Sequence, residues 1–237
     1  MSTTAPTARA IVAGLAIAFV GVGPWALLAS LNARIRPDVP WAAAVTLVCL
    51  AALILWLNGG GWPRSTSADR RFRLRLWRPA PGAWSGESRW AVLGLILAIV
   101  GLYVMWIVTS PDQLITDFSD YPTPAYRISL VVMGALVSGV VEEAAFRGYL
   151  QSRLEELGPT YAILVTSAVF VLAHVTHGVV AMLLMAPGYF VASLLYGALA
   201  WRTGSILPGM ALHVTGDFLH TMFVLLGGDL RALTMSG

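Results

Sequence analysis

The sequence predicts an all-α, polytopic transmembrane helical bundle of about seven spans, and three observations carry that prediction. Of its 237 residues, 57% are hydrophobic and only 11% charged, against roughly a quarter charged in soluble domains, and the mean hydropathy is +0.75. Apolar runs of about 20 residues, the length that crosses roughly 30 Å of hydrocarbon, recur along the chain. The arginines gather beside those runs, where basic charge sets membrane orientation. No segment is left over for a separate soluble unit, so a single integral membrane domain, 1–237, is expected.

The runs fall near 10–31, 41–58, 90–109, 128–150, 160–177, 179–201 and 206–226. The first resembles the apolar part of a signal peptide, but it is long, carries Gly23-Pro24 in its middle and lacks a small-residue cleavage site; a kinked helix is expected. Between the second and third runs lies WPRSTSADRRFRLRLWRPAPGAWSGESR, with Arg64, Arg70, Arg71, Arg73, Arg75, Arg78 and Arg89. Positive-inside logic puts this loop, and with it the N-terminus, in the cytoplasm. The alternating RFRLRLW also suits an interfacial segment on anionic lipid. The next loop carries Asp112, Asp117 and Asp120 against Arg127 and falls on the opposite side.

Composition excludes several classes. The net charge of +3 is explained by topogenic arginines, so no nucleic-acid partner is implied. The lone Cys49 rules out an intrachain disulfide and a cysteine-based metal site. All fifteen basic residues are arginine, which suits a GC-rich bacterial genome and hence the bacterial inner membrane.

The residues that could do chemistry concentrate in the last four runs. Glu142, Glu143 and Arg147 share one helix, His174 and His177 the next, and His213, Asp217 and His220 the last. A charge at mid-bilayer costs about 2.5–3.5 kcal/mol on insertion scales, so such a cluster faces protein or water and is a functional site by default. Glu143 and Arg147 are an i,i+4 pair on nearly one helix face, whereas Glu142 points about 100° away from Glu143. Gly134, Ser138 and Glu142 continue a stripe of small residues along which a neighbouring helix can approach. Glu142 is therefore the candidate reactive acid. The spacing alone equally allows a structural ion network or a proton relay. His213 and Asp217 are i,i+4, and His220 shares their broad face. His177 and His220 read as hydrogen-bonded packing residues. At about 1.5 Å rise per residue, His174 would lie about 20 Å along its span, at a different depth from Glu142 and His213.

Three blocks in order on separate spans, EEAAFR (Glu142 to Arg147), FVLAH (Phe170 to His174) and HVTGD (His213 to Asp217), resemble the EExxxR, FxxxH and HxxxN/D motifs of the CPBP family. That family comprises type II CAAX prenyl endopeptidases and bacterial Abi-type intramembrane proteases. The stretch YGALAWRTGSILPGMALH, before the third block, is similar to the glycine-rich approach of bacterial members. The resemblance covers roughly 128–226, which it makes a catalytic core, and leaves 1–127 as peripheral helices and a basic cytoplasmic loop.

The resemblance implies an intramembrane endopeptidase acting in the lipid bilayer on a membrane-anchored peptide or protein. Glu142 with His174 would activate a water; His213 with Asp217 would stabilise the oxyanion; Glu143, Arg147 and Phe170 would support the site. An ionised Asp217 accepts hydrogen bonds and cannot donate one, so it would act protonated or by orienting His213. The expectation is a site with no metal and no required cofactor, because the HExxH spacing that marks zinc proteases is missing. Zinc on Glu142, His174 and His213 is the other version. LGGD at Leu226 to Asp229 lacks the first glycine of a GxGD aspartyl motif, and no serine sits in a rhomboid-like GxSG setting. A proton-coupled transporter and a catalytically silent scaffold or immunity protein are the readings from other classes.

Overall fold

The computed structural model describes residues 4–36, 38–59, 124–177 and 179–235, and among these every regular element is helical. Helix α1 spans Thr4–Ile35 and α2 Trp41–Gly59. Helix α3, Pro124–Glu142, runs without a break into a π-helix, Glu143–Gln151, which ends in a short helical turn, Ser152–Leu154, and a 3-10 turn, Glu155–Leu157. Helix α4, Pro159–Ala173, is followed by a 3-10 turn at His174–His177, then α5, Val179–Thr203, and α6, Leu207–Met235.

Among the described residues, three helical stretches are long and apolar enough to cross a membrane: Thr7–Ile35, Tyr126–Leu157 and Met182–Thr203. The spans expected at 41–58 and 160–177 correspond to shorter apolar helices, Trp41–Ala52 and Pro159–Ala173. The one expected at 206–226 falls within α6. The span expected at 90–109 and the two charged loops beside it lie outside the described residues, except that the end of the second loop, 124–127, begins α3. Helix α1 is continuous through Pro24. Helix α4 is shorter than its apolar run because the helix ends at Ala173; its 15 residues reach about 22 Å.

Local chemistry sets the breaks. Gly158 has φ +113°, a conformation open to glycine but strained for other residues, and Pro159 follows at the first position of α4, where its missing N–H is not needed. Gly204, at φ +66°, ends α5 in the left-handed region that closes many helices. Its neighbours stitch the turn: Thr203 Oγ1 accepts from Ser205 N at 3.2 Å, and Ser205 Oγ accepts from Leu207 N at 3.2 Å at the start of α6. The glycine-rich TGS stretch is thus a tight hinge that launches α6.

A second corner joins α1 to α2. Asn32, 1% exposed, donates Nδ2–H to the carbonyls of Arg36 (2.7 Å) and Val39 (2.8 Å), and its Oδ1 accepts from Ala42 N at 2.9 Å. One side chain thereby satisfies backbone groups at the end of one helix and the start of the next. Beside it, the exposed Arg36 and Asp38 form a two-pronged pair at 3.0 and 2.9 Å.

The bundle is assembled around the π-helix. Helix α1 lays Ala10 and Ala18 against Ala145, Phe146 and Leu150, which also meet Ala162, Val169 and Phe170 of α4. Leu50, Met133, Val137, Val140 and Val141 fill a second cluster between α2 and α3. In hydrocarbon, lipid is as apolar as leucine, so small residues that let helices approach carry much of the packing. Gly139 is one: a Cβ there would lie 2.8 Å from the Val214 backbone nitrogen, so α3 and α6 meet nearly backbone to backbone. The stripe expected at Gly134 is not used this way, since a Cβ on Gly134 would meet nothing within 4 Å among the described residues. Val12, Val20, Val48, Val180, Leu183 and Leu184 are exposed, as lipid-facing residues are.

Candidate active site

Where α3 passes into the π-helix, the chain turns from one acid to the next. Glu143 is fully buried, whereas the Glu142 side chain keeps 15% of its surface. The π-helix pairs backbone groups five residues apart and is rare outside functional sites. Here it carries Glu143 and Arg147, both 0% exposed, with Arg147 Nη1 donating to Glu143 Oε1 at 2.7 Å. A buried guanidinium needs more than one partner, because desolvation otherwise outweighs the attraction. Arg147 Nη2 donates to Ser193 Oγ at 2.6 Å and to the Ser193 carbonyl at 3.2 Å. Its Cζ lies over the rings of Phe170 (4.7 Å) and Tyr196 (5.2 Å), which adds cation–π attraction.

Helix α6 delivers His213 to this pair. Its Nδ1 is 2.9 Å from Glu143 Oε1, and because an ionised carboxylate only accepts, Nδ1 carries the proton. The ring is stacked on Tyr196 at 5.3 Å between centroids and 22° between planes, and meets Phe170 edge-on at 5.9 Å. Pinned on one nitrogen and both faces, His213 presents Nε2 between two further carboxylates: Glu142 Oε2 at 3.9 Å and Asp217 Oδ2 at 3.6 Å. These separations exceed a hydrogen bond and suit an intervening water or substrate atom. Asp217, one-third exposed, receives the Ser138 hydroxyl of α3.

His174 enters at the end of α4. Its Nδ1 is 2.7 Å from the Phe170 carbonyl, which can only accept, so Nδ1 again carries the proton and Nε2 is the acceptor nitrogen. The ring lies 4.6 Å from Phe170 and 4.3 Å from Tyr189. Phe170 thus touches His174, His213 and Arg147, so the two histidines flank one ring. The difference in depth expected from the sequence does not arise, because Glu142 and His174 lie equally far along the chain, 16 residues, on either side of the Gly158 corner.

Of the residues singled out from the sequence, Glu142, Glu143, Arg147, His213 and Asp217 converge, and Phe170 and His174 join through their rings. Four participants were not foreseen: Ser193 and Tyr196 under Arg147 and His213, Tyr189 on His174, and Ser138 as a partner of Asp217. The i,i+3 spacing of Ser193 and Tyr196, on the helix leading to the TGS hinge, was the available signal. Zinc would need Glu142, His174 and His213 together; among the described residues no group of three or more His, Cys, Asp or Glu side chains is arranged to hold a metal.

Comparison with curated proteins and with solved structures returned no significant match. A family model does match: residues 124–219 fit the type II CAAX prenyl endopeptidase Rce1-like family, about two-fifths of the chain. The segment runs from the start of α3 to just past Asp217 and contains all three sequence blocks. The family model and the three blocks fall on the same helical segment, and by that match segment 124–219 is similar to the Rce1-like type II CAAX prenyl endopeptidases.

Proposed function

We propose that this chain is an intramembrane endopeptidase that hydrolyses a peptide bond of a membrane-associated peptide or protein with a water activated by Glu142 and His174. The observation that carries this reading is the setting of His213: Nδ1 is held by buried Glu143 at 2.9 Å while Nε2 lies between Glu142 and Asp217 at 3.9 and 3.6 Å. Hydrolysis of an amide needs a base for water, a donor for the oxyanion and a proton for the leaving amine.

Glu142, whose Oε2 has no hydrogen-bond partner among the described residues, takes a proton from the water, and the acceptor nitrogen of His174 holds that water's other hydrogen. The water oxygen attacks the carbonyl carbon. Charge gathers on the carbonyl oxygen, and His213, protonated on both nitrogens at this stage, donates Nε2–H to it while Glu143 balances the imidazolium. Glu142 then returns its proton to the leaving nitrogen as the C–N bond breaks. Asp217, occupied by Ser138, acts on the orientation of His213. Arg147 and Phe170 support the site. The chain's own residues suffice for this sequence, with no cofactor. The arginine-rich stretch from Arg64 to Arg89 supports an inner bacterial membrane with the N-terminus in the cytoplasm.

The test is quantitative terminal proteomics of membranes from cells expressing the wild type or Glu142→Gln at matched levels. Peptide ends that disappear in the variant are expected. Identical end profiles, with both proteins accumulating, would overturn the peptidase reading.

A further inference from the structure

Behind the candidate site, five buried polar atoms have no hydrogen-bond partner among the described residues: Glu143 Oε2, Arg147 Nε, Gln151 Oε1, Thr166 Oγ1 and Ser167 Oγ. Their residues are at most 1% exposed. Glu143 Oε2 lies against Gly209 of α6, where a Cβ would come within 3.1 Å of it, and the other four follow one seam. Glu143, Arg147 and Gln151 recur every four residues along the π-helix, and Glu155 continues the row to its half-buried end. Gln151 Nε2 donates to the Gly197 carbonyl at 2.9 Å and to Glu155 Oε1 at 3.2 Å. Helix α5 answers with the same period, Ser193 receiving Arg147 and Gly197 receiving Gln151.

Helix α4 closes the third side. Gly197 touches both Gln151 and Ile163: a Cβ there would lie 2.8 Å from Gln151 Oε1 and 3.2 Å from Ile163 Cγ2. About two turns on, Phe170 covers Arg147. Thr166 and Ser167, three and four residues beyond Ile163 on the same face, fall between the Gln151 level and the Arg147 level. Donors and acceptors left over from the π-helix and α4 therefore share one strip of interior that α5 closes.

Buried polar groups are almost always paired, and those that side chains leave over are commonly met by internal water with two to four partners. We propose that the junction of the π-helix, α4 and α5 holds a file of internal waters linking the Arg147–Glu143 pair through Gln151 to Glu155 at the helix end. Such a file gives the site a proton route that a peptide seated over Glu142 does not block; that use, unlike the waters, rests on the peptidase reading.

The experiment is X-ray radiolytic labelling of the full-length protein in nanodiscs, with the oxygen supplied as heavy-isotope water. Hydroxyl radicals made from a bound water modify the side chains beside it. Phe170 and Tyr196, 2% and 4% exposed, border the seam, whereas Met133, 4% exposed and intrinsically more reactive, lies in an apolar cluster. Labelling of Phe170 and Tyr196 above Met133 is expected; labelling of both at or below Met133 overturns the proposal. Stability supplies an independent sign. If Thr166 is hydrated, Thr166→Val lowers the melting temperature by roughly 2–4 °C; if its hydroxyl is dry, valine removes an unsatisfied group and the temperature rises, again overturning the proposal. For the proton route, Gln151→Leu lowers kcat and enlarges its solvent isotope effect with KM unchanged; unchanged kcat removes the route. A wild type without peptidase activity refutes the peptidase reading alone, since labelling requires no turnover.

Discussion

Two buried polar regions of this molecule differ in what they leave over. At the α1–α2 corner every polar atom of Asn32 is spent on the backbone, two carbonyls and one N–H. At the α3–α6 crossing the polar groups bind one another, and Glu142 Oε2, Glu143 Oε2 and Arg147 Nε have no hydrogen-bond partner among the described residues. A satisfied network fixes a fold, whereas an unsatisfied one keeps capacity for a ligand or a reaction. The contrast separates a structural device from a working site without reference to any family.

Breaking the ion pair should have the largest effect. Arg147→Leu leaves Glu143 charged and buried, a loss of about 3–5 kcal/mol, so the variant should vanish from membranes in an immunoblot. Adding Glu143→Leu should restore accumulation but not cleavage, because His213 then lacks its Nδ1 partner. Accumulation of Arg147→Leu alone at wild-type level would remove the brace from the explanation. Next, Glu142→Gln should lower cleavage by about 10²–10⁴-fold while melting as the wild type does; a loss limited to a few-fold would take the base role away from Glu142.

Asn32→Leu sharpens the comparison from the other side. It leaves the Ala42 N–H without its acceptor and takes one of two donors from the Arg36 and Val39 carbonyls, costing about 1–3 kcal/mol, yet cleavage per folded molecule should be unchanged. A drop in specific activity would mean that the corner communicates with the site. The smallest effect belongs to the exposed pair beside it. Hydrogen bonds from Arg36 hold the Asp38 carboxyl below its usual range, so Arg36→Ala should move its titration upward, readable by carboxyl carbon-13 NMR. The pair's contribution is present above the unfolded pKa of Asp38 and lost as pH falls through the depressed folded value. Both groups are fully solvated, and no change in melting at neutral pH is expected.

How far the sequence reached depended on the kind of information. Hydropathy is a local property, and it was enough for an all-helical membrane protein. Helical spacing is local too, and it singled out Glu143 with Arg147 and His213 with Asp217 as neighbours along their helices. It could not foresee that α4 stops at Ala173, since the apolar run continues to Val175, nor that nine residues after Glu142 adopt a π-helix. Ser193 and Tyr196 escaped notice, and Ser138 was read only as a small residue, because a serine or tyrosine in an apolar run has no further meaning until its partner on another helix is known.

The sequence by itself determined that charges costly in hydrocarbon occur in three ordered blocks, because the price of burying a charge applies wherever the chain folds. Only the tertiary structure decided which carboxylate meets which histidine. That choice followed from Gly139 letting α6 approach α3 at backbone distance and from the Gly204 hinge starting α6 in the right register. Contacts between residues 70 positions apart, such as Glu143 with His213, are set by packing, which no local pattern encodes.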